Sequence, residues 1–527
     1  MSEQAKVTRA AGIISAATFT SRILGFIRDM VVAKVFGAAA VADAFFVAFR
    51  ISNLLRELFA EGSMSAAFIP VFTEYLHLRS KEEAQELART LFYLLMFILS
   101  GVVMLGVSFS PIIVRLIAPG FTGDPEKLRT AVYLTRIMFP FMLFIGLAAV
   151  TMGVLNSIGS FTAPALSPVM LNLSMIGFAL FVSPYMEKPI TGLALGVVFG
   201  GLLQLLIQIP PMKKKGFGLK FMLKPAHEGV RKVGRLAAPV IGSQAVVQIN
   251  VFVSSILASY LSVGSISYLY YATRLYQFPH GIFGIAVATA ILPSMSRQAA
   301  AGDYDSLKDT LSFGIRYILF INIPAMAGLI VLRVPITSLL FQRGAFGYAA
   351  TLGTAYALLF YALGLWAYSG VRIVNSAFYS MQNTRIPVIG AFVTVTANVA
   401  FSLILMGPLG HGGLALAAAL AASLNMAMLV FIFRKKMGRI GGRKIFLSLI
   451  KTLAASAAMS AVCYYTSRSD IWPLSGHTAR KASIVGISIA AGVSAYLAVQ
   501  YVLKSGELSF VLDMLKKRWG KSPSEAL

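Results

Sequence analysis

An all-α polytopic membrane protein is the fold class this sequence predicts, and three observations predict it. The chain is short of charge, its apolar runs have membrane-spanning length, and those runs recur from one end to the other. Of its 527 residues 57% are hydrophobic and 13% charged, with a mean hydropathy of +0.77. Soluble domains carry about 25% charged residues, so a chain this long cannot cover itself with polar surface in water. A helix crosses a ~30 Å hydrocarbon core with roughly 20 apolar residues, and runs such as Leu91–Phe109 and Ile484–Leu503 meet that length. The alternating segments of ~10 residues that a transmembrane β-barrel needs do not stand out.

About fourteen spans follow from this reading, at 12–36, 42–72, 88–110, 130–157, 163–183, 189–210, 236–260, 266–294, 312–332, 350–380, 386–406, 412–434, 446–466 and 483–503. An even number puts both termini on one side. With that side cytoplasmic, the inner segments hold roughly 27 lysines and arginines against about 9 outside, the bias expected of cytoplasmic loops. The basic stretches Lys213–Lys215 through Arg235, Arg434–Lys444 and Lys516–Arg518 account for most of the net charge of +26 as a topology signal. No aromatic-interleaved basic patch stands beside them, so nucleic-acid binding gains no support. The polar start Met1–Ala10 runs on into charged residues without a small-residue cleavage site, which predicts no cleavable signal peptide. The single cysteine, Cys463, excludes an intramolecular disulfide and reads as packing.

A weak internal repeat divides the chain. Ala48-Phe49-Arg50-Ile51, running to Pro70, echoes Ala272-Thr273-Arg274-Leu275, running to Pro293. Asn156-Ser157 with Thr162-Ala163-Pro164 echoes Tyr379-Ser380 with Thr384-Arg385-Ile386-Pro387. Both echoes join positions six spans apart, so the expected organisation is two parallel six-helix lobes plus two C-terminal helices. The expected boundaries are an N-terminal lobe at 1–210, a basic cytoplasmic linker at 211–235, a C-terminal lobe at 236–436, and spans 13 and 14 with a basic tail at 437–527. Such repeats usually set the substrate site at the repeat interface.

Charges inside spans are costly, ~2.5–3.5 kcal/mol each at the bilayer centre on insertion scales, and are functional candidates by default. In span 1, Ser21, Arg22, Gly25, Arg28 and Asp29 fall on a ~120° arc of a helix. That arc describes either one wall of a wet cavity or a helix–helix contact with Gly25 at a close approach. In span 2, Asp43, Arg50, Glu57 and Glu61 lie within ~40° of one another, while Arg56 projects roughly 100° from Glu57. This stripe reads as a functional surface or as a ladder of ion pairs holding spans 1 and 2 together. Span 8 carries Arg274 with no acid in its own span, followed by Pro279, Gly281 and Gly284, residues that permit a broken membrane helix. Spans 7 to 14 hold no acidic residue. Arginine suits phosphate because its planar fork donates paired hydrogen bonds and stays charged in low dielectric. A substrate both anionic and greasy fits such a protein better than a small cation does.

Several of these blocks carry a family resemblance. Ser21 through Asp29, Ala42 through Arg50, Asn53-Leu54-Leu55-Arg56, Phe59-Ala60-Glu61-Gly62, Ala118-Pro119-Gly120-Phe121, Tyr270 through Leu275 and Phe278-Pro279 resemble the MurJ (MviN) family of lipid II flippases over nearly the whole chain. The resemblance implies the multidrug/oligosaccharidyl-lipid/polysaccharide exporter fold. It implies movement of undecaprenyl-diphosphate-linked disaccharide pentapeptide from the cytoplasmic to the periplasmic leaflet of the bacterial inner membrane, by alternating access. Its important cationic positions match Arg22, Arg28, Arg56 and Arg274, with Ser21 and Arg50 beside them for substrate. Asp29, Asp43, Glu57 and Glu61 are the candidate gating or ion-pair acids. Lipid II, membrane lipids and the cell-wall synthesis machinery are the implied partners, with no cofactor and no metal. Two departures stand out: Thr273 and Gln277 replace acids that relatives often carry around the span-8 arginine, and spans 7, 11 and 12 offer no carboxylate for sodium.

Two other classes compete. A cation or drug antiporter of the same superfamily would need intramembrane acids, whereas the excess here is arginine; another polyprenyl-linked oligosaccharide flippase would share the arginines. A membrane enzyme acting on polyprenyl diphosphates would need clustered carboxylates or histidines. The five histidines, His77, His227, His280, His411 and His477, are scattered, so the chain reads as a transporter rather than an enzyme.

Overall fold

The computed structural model describes residues 3–57, 63–224 and 226–519, and throughout them the ordered elements are helices. Ten helical stretches are long and apolar enough to cross a membrane: Lys81–Ser108, Pro125–Ser157, Thr162–Tyr185, Pro189–Lys214, Ser265–Ala300, Tyr304–Val331, Tyr348–Ser380, Arg385–Met437, Gly442–Ser467 and Thr478–Val502. The expected spans 1 and 7, and span 2 where it is described, are helical but stand outside these ten. Spans 11 and 12 run together as one 53-residue helix broken at Gly410 (φ 54°, ψ −133°), a left-side backbone conformation that glycine adopts without strain. Large apolar side chains such as Phe97, Met104, Phe392 and Ile404 point outward, as a lipid solvent requires and water does not allow.

The helices fall into two compact units: residues 1–267 with 344–346, and residues 268–343 with 347–527. The first unit comprises α1 (Glu3–Phe36), α2 (Ala40–Arg56), α3 (Ser63–Leu78), α4 (Lys81–Ser108), α5 (Ser110–Ile117), α6 (Pro125–Met138), α7 (Pro140–Ser157), α8 (Thr162–Gly177), α9 (Pro189–Leu206), α10 (Ile209–Lys214) and α11 (Glu228–Ser259). Local chemistry sets several of these starts. The Ser80 side chain accepts from the Glu83 N–H to cap α4, and Asp124 accepts from the Lys127 N–H to cap α6, with proline at the first turn of α6, α7 and α9. At Gly37 (φ +63°) the chain leaves α1 so tightly that a Cβ would lie 2.4 Å from the Ala345 carbonyl oxygen.

Span 7, α11, packs against α3, α4 and α5 inside this first unit. The compact units divide after Ser267, whereas the lobes read from the repeat divide within 211–235. That basic segment is strapped to the bundle: Gln85, Arg89 and Tyr93, one turn apart on α4, donate to the carbonyls of Gly216, Gly218 and Leu219. Exposed ion pairs Lys224–Glu86, Arg79–Glu228 and Lys232–Glu74 add to this, each worth little alone. The Arg79 guanidinium also holds the Glu228 carboxyl below its ordinary pKa through their hydrogen bond.

A stripe of small residues seats α9 on α8. Cβ atoms added at Gly192, Gly196 and Gly200 would meet Ser183, Phe178 and Leu171 at 2.5–2.8 Å, the small-xxx-small packing of membrane helices. Replacing Gly196 by leucine is expected to cost about 1–3 kcal/mol by overpacking. The readout is the fraction of monodisperse protein left after heating in detergent, and an unchanged fraction would refute close packing here.

The second unit begins in α12 (Ser265–Pro279), which passes through a π-helical turn at His280–Gly284 into α13 (Ile285–Ala300). It continues with α14 (Tyr304–Val331), α15 (Arg333–Phe341), α16 (Tyr348–Leu363), α17 (Leu365–Ser380), α18 (Arg385–Met437), α19 (Gly442–Ser467), α20 (Thr478–Val502) and α21 (Gly506–Trp519). Leu311, Ile318, Ile373, Phe378, Leu429 and Phe433 form its main core. A second core joins α14, α19 and α20 through Phe320, Ala455, Met459 and Tyr496. Cys463 is buried there as a free thiol against Gly492, where a Cβ would stand 2.4 Å from its sulfur.

Candidate functional site

In α1, Arg28 and Asp29 are both buried. Arg28 folds back along its own helix, its Nε and Nη2 donating to one Asp29 oxygen at 3.0 and 2.7 Å. Its Nη1 reaches Asn172 Oδ1 on α8 at 3.1 Å, and the Asn172 amide donates to the Ser21 carbonyl at 3.1 Å. Gly25 faces the same amide, but a Cβ there would sit 3.7 Å from it, an ordinary contact, so the approach does not require glycine. Ser21, Gly25, Arg28 and Asp29 therefore share one face, and that face packs against α8. Arg22 stands apart: it is exposed and makes no ion pair among the described residues. Asn172 is a residue the sequence reading missed, because nothing in α8 marks it before the helices are paired.

Asp43 is fully buried at the start of α2, and each of its oxygens takes two hydrogen bonds. Oδ2 accepts from Lys127 Nζ at 2.9 Å and the Gly264 N–H at 2.8 Å; Oδ1 accepts from the Ser267 N–H at 3.0 Å and hydroxyl at 2.7 Å. The carboxylate thus sits on the first N–H groups of α12, where the helix dipole favours negative charge. Lys127 also rests 4.3 Å from the centre of the Phe121 ring. Lys127 lies in a stretch read as an outside loop, which is why it was not singled out.

The remaining stripe of α2 turns to α11. Arg50 Nη1 donates to Ser255 Oγ at 2.6 Å, and seven residues on, Glu57 accepts from Gln248, seven residues back along α11. Together these two contacts make an antiparallel polar ladder between span 2 and span 7. Arg56 donates to Asn53 Oδ1 at 3.1 Å and lies 4.0 Å from Glu57. Glu61 lies outside the described residues.

In the second unit Arg274 is half-buried on α12. It donates to the Tyr270 hydroxyl at 3.0 Å, its guanidinium 4.9 Å from that ring's centre. An aromatic face steadies a guanidinium without neutralising it. Among the described residues no group of three or more His, Cys, Asp or Glu is placed to hold a metal ion.

A family model described as "Lipid II flippase MurJ" matches residues 32–479. A Vibrio cholerae protein named "Probable lipid II flippase MurJ" is 36% identical over 499 residues, 93% of this chain and 95% of that one. Among solved structures, "Lipid II flippase MurJ, inward closed conformation" is similar with a TM-score of 0.77 and 29% identity, covering 95% of this chain and 99% of that one. A multidrug resistance MATE family transporter of the MOP superfamily is similar at a TM-score of 0.64 and 14% identity, over 80% of this chain and 95% of that one, which shows a shared fold. The fold, the blocks around Arg28, Asp43 and Arg274, and a match spanning the chain converge: this protein belongs to the MurJ family of lipid II flippases.

Proposed function

We propose that the protein moves lipid II, an undecaprenyl-diphosphate-linked peptidoglycan precursor, from the cytoplasmic to the periplasmic leaflet of a bacterial inner membrane by alternating access. The observation that carries this reading is the end-to-end similarity to a solved lipid II flippase. Fourteen spans in two six-helix lobes plus two C-terminal helices, with both termini cytoplasmic, complete the proposed topology, and the cell-wall synthesis machinery is the proposed recipient of the product.

In this mechanism an arginine-lined cavity, with Arg22, Arg28, Arg56 and Arg274 as its cations and Ser21 and Arg50 beside them, holds the diphosphate. Asp29 and Asn172 fix the Arg28 fork in one orientation, so little side-chain entropy is lost when an anion arrives. Asp43, Glu57 and Glu61 act as ion-pair or gating acids. Moving a diphosphate outward carries negative charge toward the positive side, assisted by ~2.3 kcal/mol per charge per 100 mV. Within the described membrane helices of the second unit the acids are Asp305 and Asp309, both in the first two turns of α14, and a sodium site deeper in the membrane, of carbonyls and hydroxyls alone, would hold the ion weakly.

The test is lipid II translocation in proteoliposomes containing only this protein, with valinomycin and a potassium gradient setting the potential. Transport is expected to follow the potential and to survive replacement of sodium by choline. Absence of translocation at every potential would overturn the assignment, whereas loss only on removing sodium would overturn the coupling.

A further inference from the structure

A further arginine stands on a membrane helix of the second unit. Arg372, on α17, is exposed. Its Nε donates to His280 Nε2 at 3.3 Å, and His280 Nδ1 lies 2.9 Å from Ser369 Oγ, one turn earlier on α17. Because arginine has only donors, His280 must accept at Nε2. The neutral ring then carries its proton on Nδ1 and donates it to Ser369. A second proton on His280 would remove the acceptor and set two cations side by side, so the arrangement selects the neutral ring.

The backbone is built for this contact. His280 opens the π-helical turn His280–Gly284, a feature that recurs at functional sites. A Cβ at Gly284 would stand 2.6 Å from Ser369 Oγ and 3.2 Å from His280 Nδ1, so the glycine lets α17 approach. Tyr368 packs edge-on to His280 at 6.2 Å and stacks on Tyr276, which stacks on Tyr361. The imidazole is thus fixed by aromatic packing on one side and a buried serine on the other. Nε is the one Arg372 nitrogen with a hydrogen bond among the described residues, so the N–H groups of Nη1 and Nη2 are not used by the histidine contact.

We propose that Arg372 is a further anion-binding residue of the substrate path, oriented by His280 as a positioning residue, and that it takes two oxygens of a phosphate or carboxylate. This rests on the flippase reading above. A lipid-linked precursor offers both chemistries, in its diphosphate and in the carboxylates of its peptide. A histidine that accepts from Nε holds the guanidinium plane while sparing the paired donors, the arrangement that suits two-oxygen recognition.

The experiment measures binding by full-length protein in nanodiscs of two probes, lipid II and undecaprenyl diphosphate. Arg372→Gln, whose side chain is exposed and carries no packing, is expected to weaken lipid II about 10-fold, and Arg372→Lys to recover only part. His280→Leu is expected to weaken it about 3-fold alone and to add nothing to Arg372→Gln, because it acts through Arg372. His280→Gln, with an acceptor near the Nε2 position, should restore wild-type binding. Equal weakening of both probes assigns the diphosphate; weakening of lipid II alone assigns the peptide carboxylates. Wild-type affinity of Arg372→Gln for both probes overturns the inference and leaves the flippase assignment standing. Failure of the unsubstituted protein to bind lipid II overturns that assignment and this inference with it.

Discussion

Replacing Asp43 by alanine is expected to be the most destabilising single change in the first unit. The carboxylate is fully buried and answers four donors: the Lys127 ammonium, the Gly264 and Ser267 N–H groups, and the Ser267 hydroxyl. Alanine strands the buried ammonium and leaves the first N–H groups of α12 without acceptors. Breaking a buried pair by removing one partner costs about 3–5 kcal/mol, because an uncompensated charge remains. Asp43→Asn should cost less, since the amide oxygen still accepts while the charge mismatch persists. Adding Lys127→Met to Asp43→Asn should recover part of the loss by removing the stranded cation. Thermal unfolding of the purified protein, followed by tryptophan fluorescence and by size exclusion, gives the order alanine, asparagine, double variant, wild type from least to most stable. A midpoint for Asp43→Ala equal to that of the unsubstituted protein would show that these four bonds contribute nothing net.

The largest functional effect is expected at Arg274. Its guanidinium is held over Tyr270 by a hydrogen bond and a ring contact, which fix its orientation. Truncating one partner of a hydrogen-bonded charge pair costs 2–5 kcal/mol, so Arg274→Ala should lower lipid II translocation by about 100-fold. Arg274→Lys should restore little, because a single ammonium cannot reproduce a fork on two phosphate oxygens. Tyr270→Phe keeps the ring and loses the hydroxyl, so an intermediate rate is expected. Parallel measurement of the amount inserted in the membrane separates transport from folding. Arg28→Ala offers a contrast, because it strands buried Asp29 and should reduce both inserted protein and rate. Normal growth of a flippase-depleted strain on both Arg28→Ala and Arg274→Ala would remove these arginines from the substrate path.

Helical periodicity made azimuth partly legible in α1. Ser21, Gly25, Arg28 and Asp29 do share one face, whereas Arg22, expected on the same arc, stands exposed and apart from it. What the helix faces meet was not legible. Arg28 and Asn172 are 144 residues apart in the chain, and Asp43 and Ser267 are 224 apart. The ladder of Arg50 with Ser255 and Glu57 with Gln248 joins two helices whose serine and glutamine look ordinary in sequence. Arg372 lies in no recognisable motif, and its partner is a histidine 92 residues away.

By itself the sequence determined the membrane class, the helical content, the choice of arginine over carboxylate within the spans, and the family. Those properties follow from composition and from local periodicity, because lipid selects apolar helices and charges in it are costly wherever they fall. Only the tertiary structure decided which charges are neutralised by the protein. It buried Arg28 against Asp29, seated Asp43 on the first turn of α12, placed α11 in the first unit and set Arg372 against His280. A helix presents a face through its own residues, but the partner of that face is chosen by close packing between segments far apart in the chain, where one hydrogen bond or one Cβ decides the fit.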